Sequence, residues 1–352
     1  MSEDVRFMKG NEAIAEAAIR AGLQGYFGYP ITPQSEVIEY LAREEPKHNY
    51  VLLQAESEVA SVNMLYGAGG AGARVMTSTS SPGYSLMQEG VSYIACAQIP
   101  CLFVNVARGG PGLGTIQASQ GDYFQAVKGG GHGDYHLIVL APNSVQEMAD
   151  FAGLGFELGD KYRCPVLILS DGSIGQMMEK VVLPEPVEYK PNKPWATRGK
   201  PKDAPSRILT SLYIKSEEME AVNNILQAKY AEIRENEVRY DAYELDDAEV
   251  VLVAYGVSSR ICRKVVDVGR KAGIKIGLLR PITLWPFPTD AFIEVAEKDQ
   301  TKFFLSIEMS AGQMVEDVRL SVEGRKPVHF YGRTGGIVPT SDEILDFIKT
   351  KL

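Results

Sequence analysis

Eight apolar runs of strand length, separated by segments of helical periodicity, constrain this chain more than any motif in it. Four lie in the first half: RVMTSTS at 74–80, PCLFVNVA at 100–107, LIVLAP at 137–142 and PVLILS at 165–170. The last three are nearly continuous in apolar residues rather than alternating. Strands covered on both faces by crossover helices read this way, so the pattern predicts an α/β unit around a largely parallel, buried sheet. Helices are expected in the gaps, at about 10–22, 34–44, 56–67, 84–98 and 144–159, the last opening with Pro142, Asn143, Ser144 and an acid. A second unit of the same kind holds VVLVAYG at 250–256, IKIGLL, KFFLSIE and PVHFYG. Its Gly256 to Ser259 turn opens a helix, which suits either an anion at the helix N-terminus or a plain strand-to-helix turn.

With 352 residues the chain is long enough for two cores. We place the first domain at 1–183, a connector at 184–245 and the second domain at 246–352. Six prolines and many charges between Pro184 and Pro205 exclude a regular core element there. From Ser216 to Tyr240, Val222, Leu226, Tyr230 and Ile233 recur at helical spacing, predicting a long amphipathic helix packed on a neighbour, either this chain or another subunit.

No run reaches the ~18 to 20 apolar residues of a membrane span, and the first residues, MSEDVRFMKG, carry acids where a signal peptide carries bases, so cytoplasmic residence is expected. A net charge of -9 argues against general nucleic-acid binding. Cys96, Cys101, Cys164 and Cys262 include no CxxC pair, so no iron-sulfur or zinc framework is expected on this chain. His132 and His136 are spaced H-x3-H in a glycine-rich stretch, but two ligands without a third do not make a metal site.

Four local features carry chemistry. In Tyr29-Pro-Ile-Thr-Pro33, two prolines restrict the backbone around Thr32. Thr32 then reads as an N-cap with Pro33 in the first helical turn, or as a hydroxyl held out to an anionic ligand. Gly67, Gly69 and Gly72 satisfy GxGxxG, but they follow a helix and lead into a strand, the reverse of a dinucleotide site, and are expected to end the helix. Glu58 precedes Val62 and Leu65 on the face that should be buried, where a carboxyl needs a partner. The plainer reading of such an acid, an interaction with the helix dipole, suits Glu56 as well. Arg108 closes the strand NVAR ahead of GGPGLG, at a strand C-terminus where ligands bind in such sheets, and its guanidinium suits either a carboxylate ligand or a surface salt bridge. Asp122 and Tyr123 are candidates for the same mouth.

Taken in order, GYPITPQSEV, QAESEVAS, GARVMTSTSSPGYSLMQEG, NVARGGPGLGTIQASQGDYFQA and SVQEM resemble the alpha subunit of the thiamine-diphosphate-dependent 2-oxoacid:ferredoxin oxidoreductases. The resemblance extends to VAYGVSSR and GLLRPITLWPFP, which look like that family's transketolase C-terminal-like domain. It implies a pyrimidine-binding domain on this chain, with the diphosphate and magnesium site on a beta chain. It also implies iron-sulfur clusters on other chains, gamma and ferredoxin-like delta subunits, ferredoxin as electron acceptor and coenzyme A as cosubstrate.

Carried over by position, Glu58 matches the glutamate that hydrogen-bonds the aminopyrimidine ring, with Tyr29 and Pro30 beside the cofactor. Thr32 and Arg108 match the residues that hold the 2-oxoacid carboxylate. The stretch from Arg108 to His136 is more like the branched-chain (2-ketoisovalerate) enzymes than the 2-oxoglutarate ones, which stand as the alternative. From another class, the same fold could serve as a noncatalytic scaffold or ligand-binding module.

Overall fold

The structure, a computed structural model, describes residues 4–190, 192–200 and 202–352. Residues 1–3, with the first acid of the N-terminus, and the connector prolines Pro191 and Pro201 lie outside the described residues.

The first unit is built on a seven-stranded sheet in the order Thr283–Trp285, Ile138–Leu140, Val166–Asp171, Leu102–Ala107, Val75–Thr79, Gly25–Gly28, Val51–Gln54. All its pairs are parallel except the first. The four predicted runs form the centre, and Leu102–Ala107 and Val166–Asp171 are buried at every position, which is why their sequences do not alternate. Between Gly25–Gly28 and Val75–Thr79 the chain's connections leave in opposite directions, making a switch point at which the strand C-termini open a crevice.

Helices Gly10–Arg20, Ser35–Glu44, Glu58–Gly70 and Val145–Tyr162 fill the predicted gaps. The helix expected at 84–98 starts earlier, as Ser81–Leu86 with Pro82 in its first turn, and resumes after Met87 as Gln88–Cys96. Glu58–Gly70 ends at Ala71, and the amide of the positive-φ Gly72 donates to the Gly69 carbonyl, the helix stop expected of that glycine run.

Two cap assignments are corrected. Helix Ser35–Glu44 has Gln34 rather than Thr32 at its N-cap, so Pro33 lies outside the helix. The Pro33 carbonyl, which would have begun the helical ladder, is instead taken by the side-chain amides of Asn11 at 2.7 Å and Gln176 at 3.0 Å. Likewise Glu56 is exposed ahead of the N-cap Ser57, and the acid of the first turn is Glu58 itself.

The second unit carries a five-stranded sheet in the order Val328–Gly332, Phe303–Glu308, Val250–Val253, Ile276–Pro281, Tyr240–Tyr243, antiparallel only at the last pair. It is tied to the first unit by main chain and side chain. Thr283–Trp285 pairs with Ile138–Leu140 of the first sheet. The buried Gln120 amide donates to the Tyr255 carbonyl at 2.8 Å and accepts from Ser258 Oγ at 2.9 Å and the Met309 amide at 3.0 Å. Asp171 Oδ2 accepts from the Val257 amide at 3.2 Å, its carboxyl pKa raised by burial despite three backbone donors.

The connector forms no regular element over its described residues from 184 to 215, yet it is anchored. Asp160 accepts from Arg74 and forms an ion pair with Lys193, Arg74 stacks on Tyr189 at 3.8 Å, and Arg163 lies over Trp195 at 4.5 Å. The long helix runs Ser216–Asn236, and its stripe of Leu226, Tyr230 and Ile233 is buried in the first unit's core, with Val222 half-buried beside it. Its neighbour is therefore this chain. His136 is stacked on Trp285 at 4.5 Å and edge-on to Tyr230, and burial lowers its pKa to about 4. Cys101, Cys164 and Cys262 are buried free thiols and Cys96 is partly buried. Among the described residues no helix is long and apolar enough to cross a membrane.

Candidate functional site

The residues singled out from the sequence, together with Thr79, which was not, converge on the C-terminal ends of four adjacent strands. Tyr29 to Thr32 follow Gly25–Gly28, Glu58 follows Val51–Gln54, Thr79 ends Val75–Thr79, and Arg108 follows Leu102–Ala107. The Tyr29-Pro-Ile-Thr-Pro loop is fixed from below. Besides the bonds to the Pro33 carbonyl, the Gln34 amide donates to Ile31 O at 3.0 Å, and buried Gln34 Oε1 accepts from Ser78 Oγ, itself paired with Tyr26 OH. Tyr29, Pro30 and Thr32 are left exposed, and the Thr32 hydroxyl has no hydrogen-bond partner among the described residues.

Arg108 and Thr32 meet: Arg108 Nη1 donates to Thr32 O at 2.8 Å and Nη2 to Leu113 O at 3.0 Å. Arg108 Nε is buried without a partner. The arginine's own backbone is held by Ser81 Oγ, which accepts from the Arg108 amide at 2.9 Å. Asp122 Oδ2 in turn accepts from Ser81 Oγ at 2.6 Å and from Asn105 Nδ2 at 2.8 Å, and burial raises its pKa. Asp122 borders a cleft of about 480 Å³ between the units, lined also by Gly110, Pro111, Ser310 and Gln313. Tyr123 does not belong to this mouth. It is fully buried and its hydroxyl donates to Asp317 at 2.6 Å.

Glu58 is 5% exposed, and its carboxylate forms no hydrogen bond or ion pair among the described residues. It sits at the N-terminus of a thirteen-residue helix, where the dipole favours the anion. Beside it, Thr79 Oγ1 is also buried and unpartnered. Gly83 closes the pocket: a Cβ there would lie 2.2 Å from Thr79 Oγ1 and 2.4 Å from Glu58 Oε1. A buried carboxylate and a buried hydroxyl, both without partners, thus lie behind a glycine wall, an arrangement able to hydrogen-bond a ligand. Gln34, Ser78, Ser81, Asn105 and Gly83 were not singled out from the sequence. The signal for three of them was present, as polar side chains within or just after central strands: Ser78 and Ser81 in TSTSS, and Asn105 in FVNVA.

Residues 16–244 match the family described as pyruvate flavodoxin/ferredoxin oxidoreductase, thiamine diphosphate-binding, and residues 248–344 match pyruvate:ferredoxin oxidoreductase core domain II. The chain belongs to the 2-oxoacid:ferredoxin oxidoreductases, as a subunit of that class of enzyme complex. Within the class it is 50% identical to ketoisovalerate oxidoreductase subunit VorB of Methanothermobacter marburgensis, over 98% of this chain and 97% of that protein. It is 34% identical to 2-oxoglutarate synthase subunit KorA of Methanocaldococcus jannaschii, over 97% of this chain and 98% of that one. The 2-oxoglutarate:ferredoxin oxidoreductase from Magnetococcus marinus, solved with 2-oxoglutarate, coenzyme A and succinyl-CoA bound, superimposes with a TM-score of 0.89 at 28% identity. That match covers 99% of this chain but 65% of the solved one, so the present chain spans just under two thirds of its length. A split gene transketolase, at 12% identity and a TM-score of 0.60, shares the fold.

Proposed function

We propose that this chain is the alpha subunit of an oxidoreductase that decarboxylates a branched-chain 2-oxoacid, 2-ketoisovalerate, to the acyl-CoA, with electrons passed to ferredoxin. The observation that carries the reading is the buried, unpaired Glu58 carboxylate behind Gly83. Glu58 would hold the aminopyrimidine ring of thiamine diphosphate, sharing a proton with a ring nitrogen at its carboxylate, while Tyr29 and Pro30 flank the ring. When bound, the cofactor supplies a nucleophilic carbon for the 2-oxo group and an electron sink for decarboxylation. Thr32 would donate its free hydroxyl to the substrate carboxylate, and Arg108 would turn its guanidinium, now on two carbonyls, to the same group.

The magnesium and diphosphate site and the iron-sulfur clusters belong, on this reading, to beta, gamma and ferredoxin-like delta partners in the cytoplasm. The greater identity to the ketoisovalerate subunit supports the branched-chain substrate. So does the cleft beside the Arg108 loop, whose described lining holds an acid and no lysine or arginine to meet a second carboxylate. In the assembled complex, Glu58→Gln is expected to leave the fold intact and to lower kcat by 100-fold or more, and unchanged turnover sinks the reading. Comparing kcat/KM for 2-ketoisovalerate and 2-oxoglutarate decides the substrate, with the branched acid expected to lead by at least tenfold. The reverse order would assign the chain to the 2-oxoglutarate branch.

A further inference from the structure

The loop after Arg108 is a closed ring resting on the second unit. Its ends are joined by the Thr115 amide donating to Gly109 O at 2.7 Å, and the Gly109 amide donates to Gln117 O at 2.9 Å. Leu113 O, within the ring, accepts from Arg108 Nη2. The guanidinium therefore lies where this ring puts it. Against the ring's outer side packs a turn of the second unit, closed by the Ile337 amide on Thr334 O, whose central residues Gly335 and Gly336 have φ of +65° and +90°. No room separates the two loops. A Cβ on Gly336 would stand 2.4 Å from Gln117 Cβ, and one on Gly109 would stand 3.1 Å from the backbone of Gly335 and of Gly336. Downstream, the Gln120 amide on Met309 O at 2.9 Å fixes the same segment to the second unit.

We infer that Gly336 is a positioning residue for substrate binding: by meeting Gln117 without a side chain, the second unit sets the Gly109 to Gln117 ring and so the reach of Arg108. The inference rests on the reading of Arg108 as the carboxylate ligand. The second domain, which holds none of the proposed ligands, thereby tunes affinity for the 2-oxoacid.

Four variants of the assembled complex test it, with a fifth, Gln117→Gly, in reserve. Each is assayed with 2-ketoisovalerate as the 2-oxoacid, and the substrate KM, the coenzyme A KM and the apparent affinity for thiamine diphosphate are measured. Gly336→Ala is expected to raise the 2-oxoacid KM about tenfold, with cofactor affinity changed less than twofold, because a displacement of about 1 Å is enough to spoil a fixed contact. Gly335→Ala supplies the control for backbone strain, since its added Cβ meets nothing within 4 Å. The doubly substituted Gly336→Ala/Gln117→Gly, which removes the clashing atom, is expected to recover most of the lost affinity. Arg108→Gln checks the underlying reading. If it leaves the 2-oxoacid KM unchanged, the carboxylate assignment and this inference both fall. If it raises KM while Gly336→Ala behaves like Gly335→Ala, or while the double variant gives no recovery, the positioning role alone is overturned. Should Gly336→Ala fail to assemble, Gln117→Gly alone decides: a KM for the 2-oxoacid equal to the unaltered complex refutes the inference, and a rise confined to that KM supports it.

Discussion

Gly83→Ala is the sharpest probe of the cradle, because it adds one methyl group where the proposed cofactor acid has no room to spare. The new Cβ would meet Glu58 Oε1 at 2.4 Å and Cδ at 2.9 Å, where ordinary contact begins at 3.4 Å. The carboxylate must therefore retreat by about 1.0 Å, the difference between 3.4 and 2.4 Å. Thr79 Oγ1, at 2.2 Å, must move as well. Misplacing a reacting group by about 1 Å costs on the order of 100-fold in rate. Stability responds less: alanine gains up to about 1 kcal/mol over glycine in a helix, and overpacking costs about 1 to 3 kcal/mol, leaving a net loss of roughly 0 to 3 kcal/mol. The expected result is a folded, assembled complex with kcat down about 100-fold and a thermal midpoint lowered by a few degrees. The assay is 2-ketoisovalerate-dependent reduction of a one-electron dye, alongside a thermal melt. Turnover within threefold of the unaltered complex would refute the assignment of Glu58 as the group that holds the cofactor ring.

Thr32→Val keeps the loop's shape and removes the hydroxyl, so KM for the 2-oxoacid is expected to rise about tenfold with kcat nearly constant, in initial-rate measurements. Gln120→Ala strips three buried hydrogen bonds between the units and should lower stability by at least 2 kcal/mol in denaturant melts. His136 has a folded pKa lowered to about 4 from 6.5, so the unfolded chain binds the extra proton between those values. Stability should fall as pH drops from 6.5 to 4, and His136→Phe should flatten that part of a melt-versus-pH curve. Trp195→Ala removes the surface on which Arg163 lies and should speed proteolytic cleavage between residues 184 and 215.

Most of the central strands of the first sheet were legible because burial on two faces leaves a largely apolar run. The other strands of that sheet gave no such mark. Val51–Gln54 is mostly exposed, Gly25–Gly28 is four residues with glycine at both ends, and Thr283–Trp285 is three residues close to prolines on either side. The misplaced cap at Thr32 has a tertiary cause, since Asn11 and Gln176, far away in sequence, claim the carbonyl that local rules assign to the helix. The site was half legible. Glu58, Thr32 and Arg108 stand out by residue type and by place in the pattern, whereas Gly83 and Gln34 act through contacts that only the folded chain creates.

The strand Thr283–Trp285, lent by the second unit to the first sheet, has a consequence for how the chain is made. Until residue 285 leaves the ribosome, the nascent first unit exposes the open side of Ile138–Leu140, and among the described residues no earlier strand supplies its partner. A chain truncated before that strand should be sticky, since an unpaired apolar sheet edge invites pairing with other chains. Once the strand docks, neither unit can melt without tearing ladder bonds of the other, so the finished subunit should unfold in one calorimetric transition despite having two sheets.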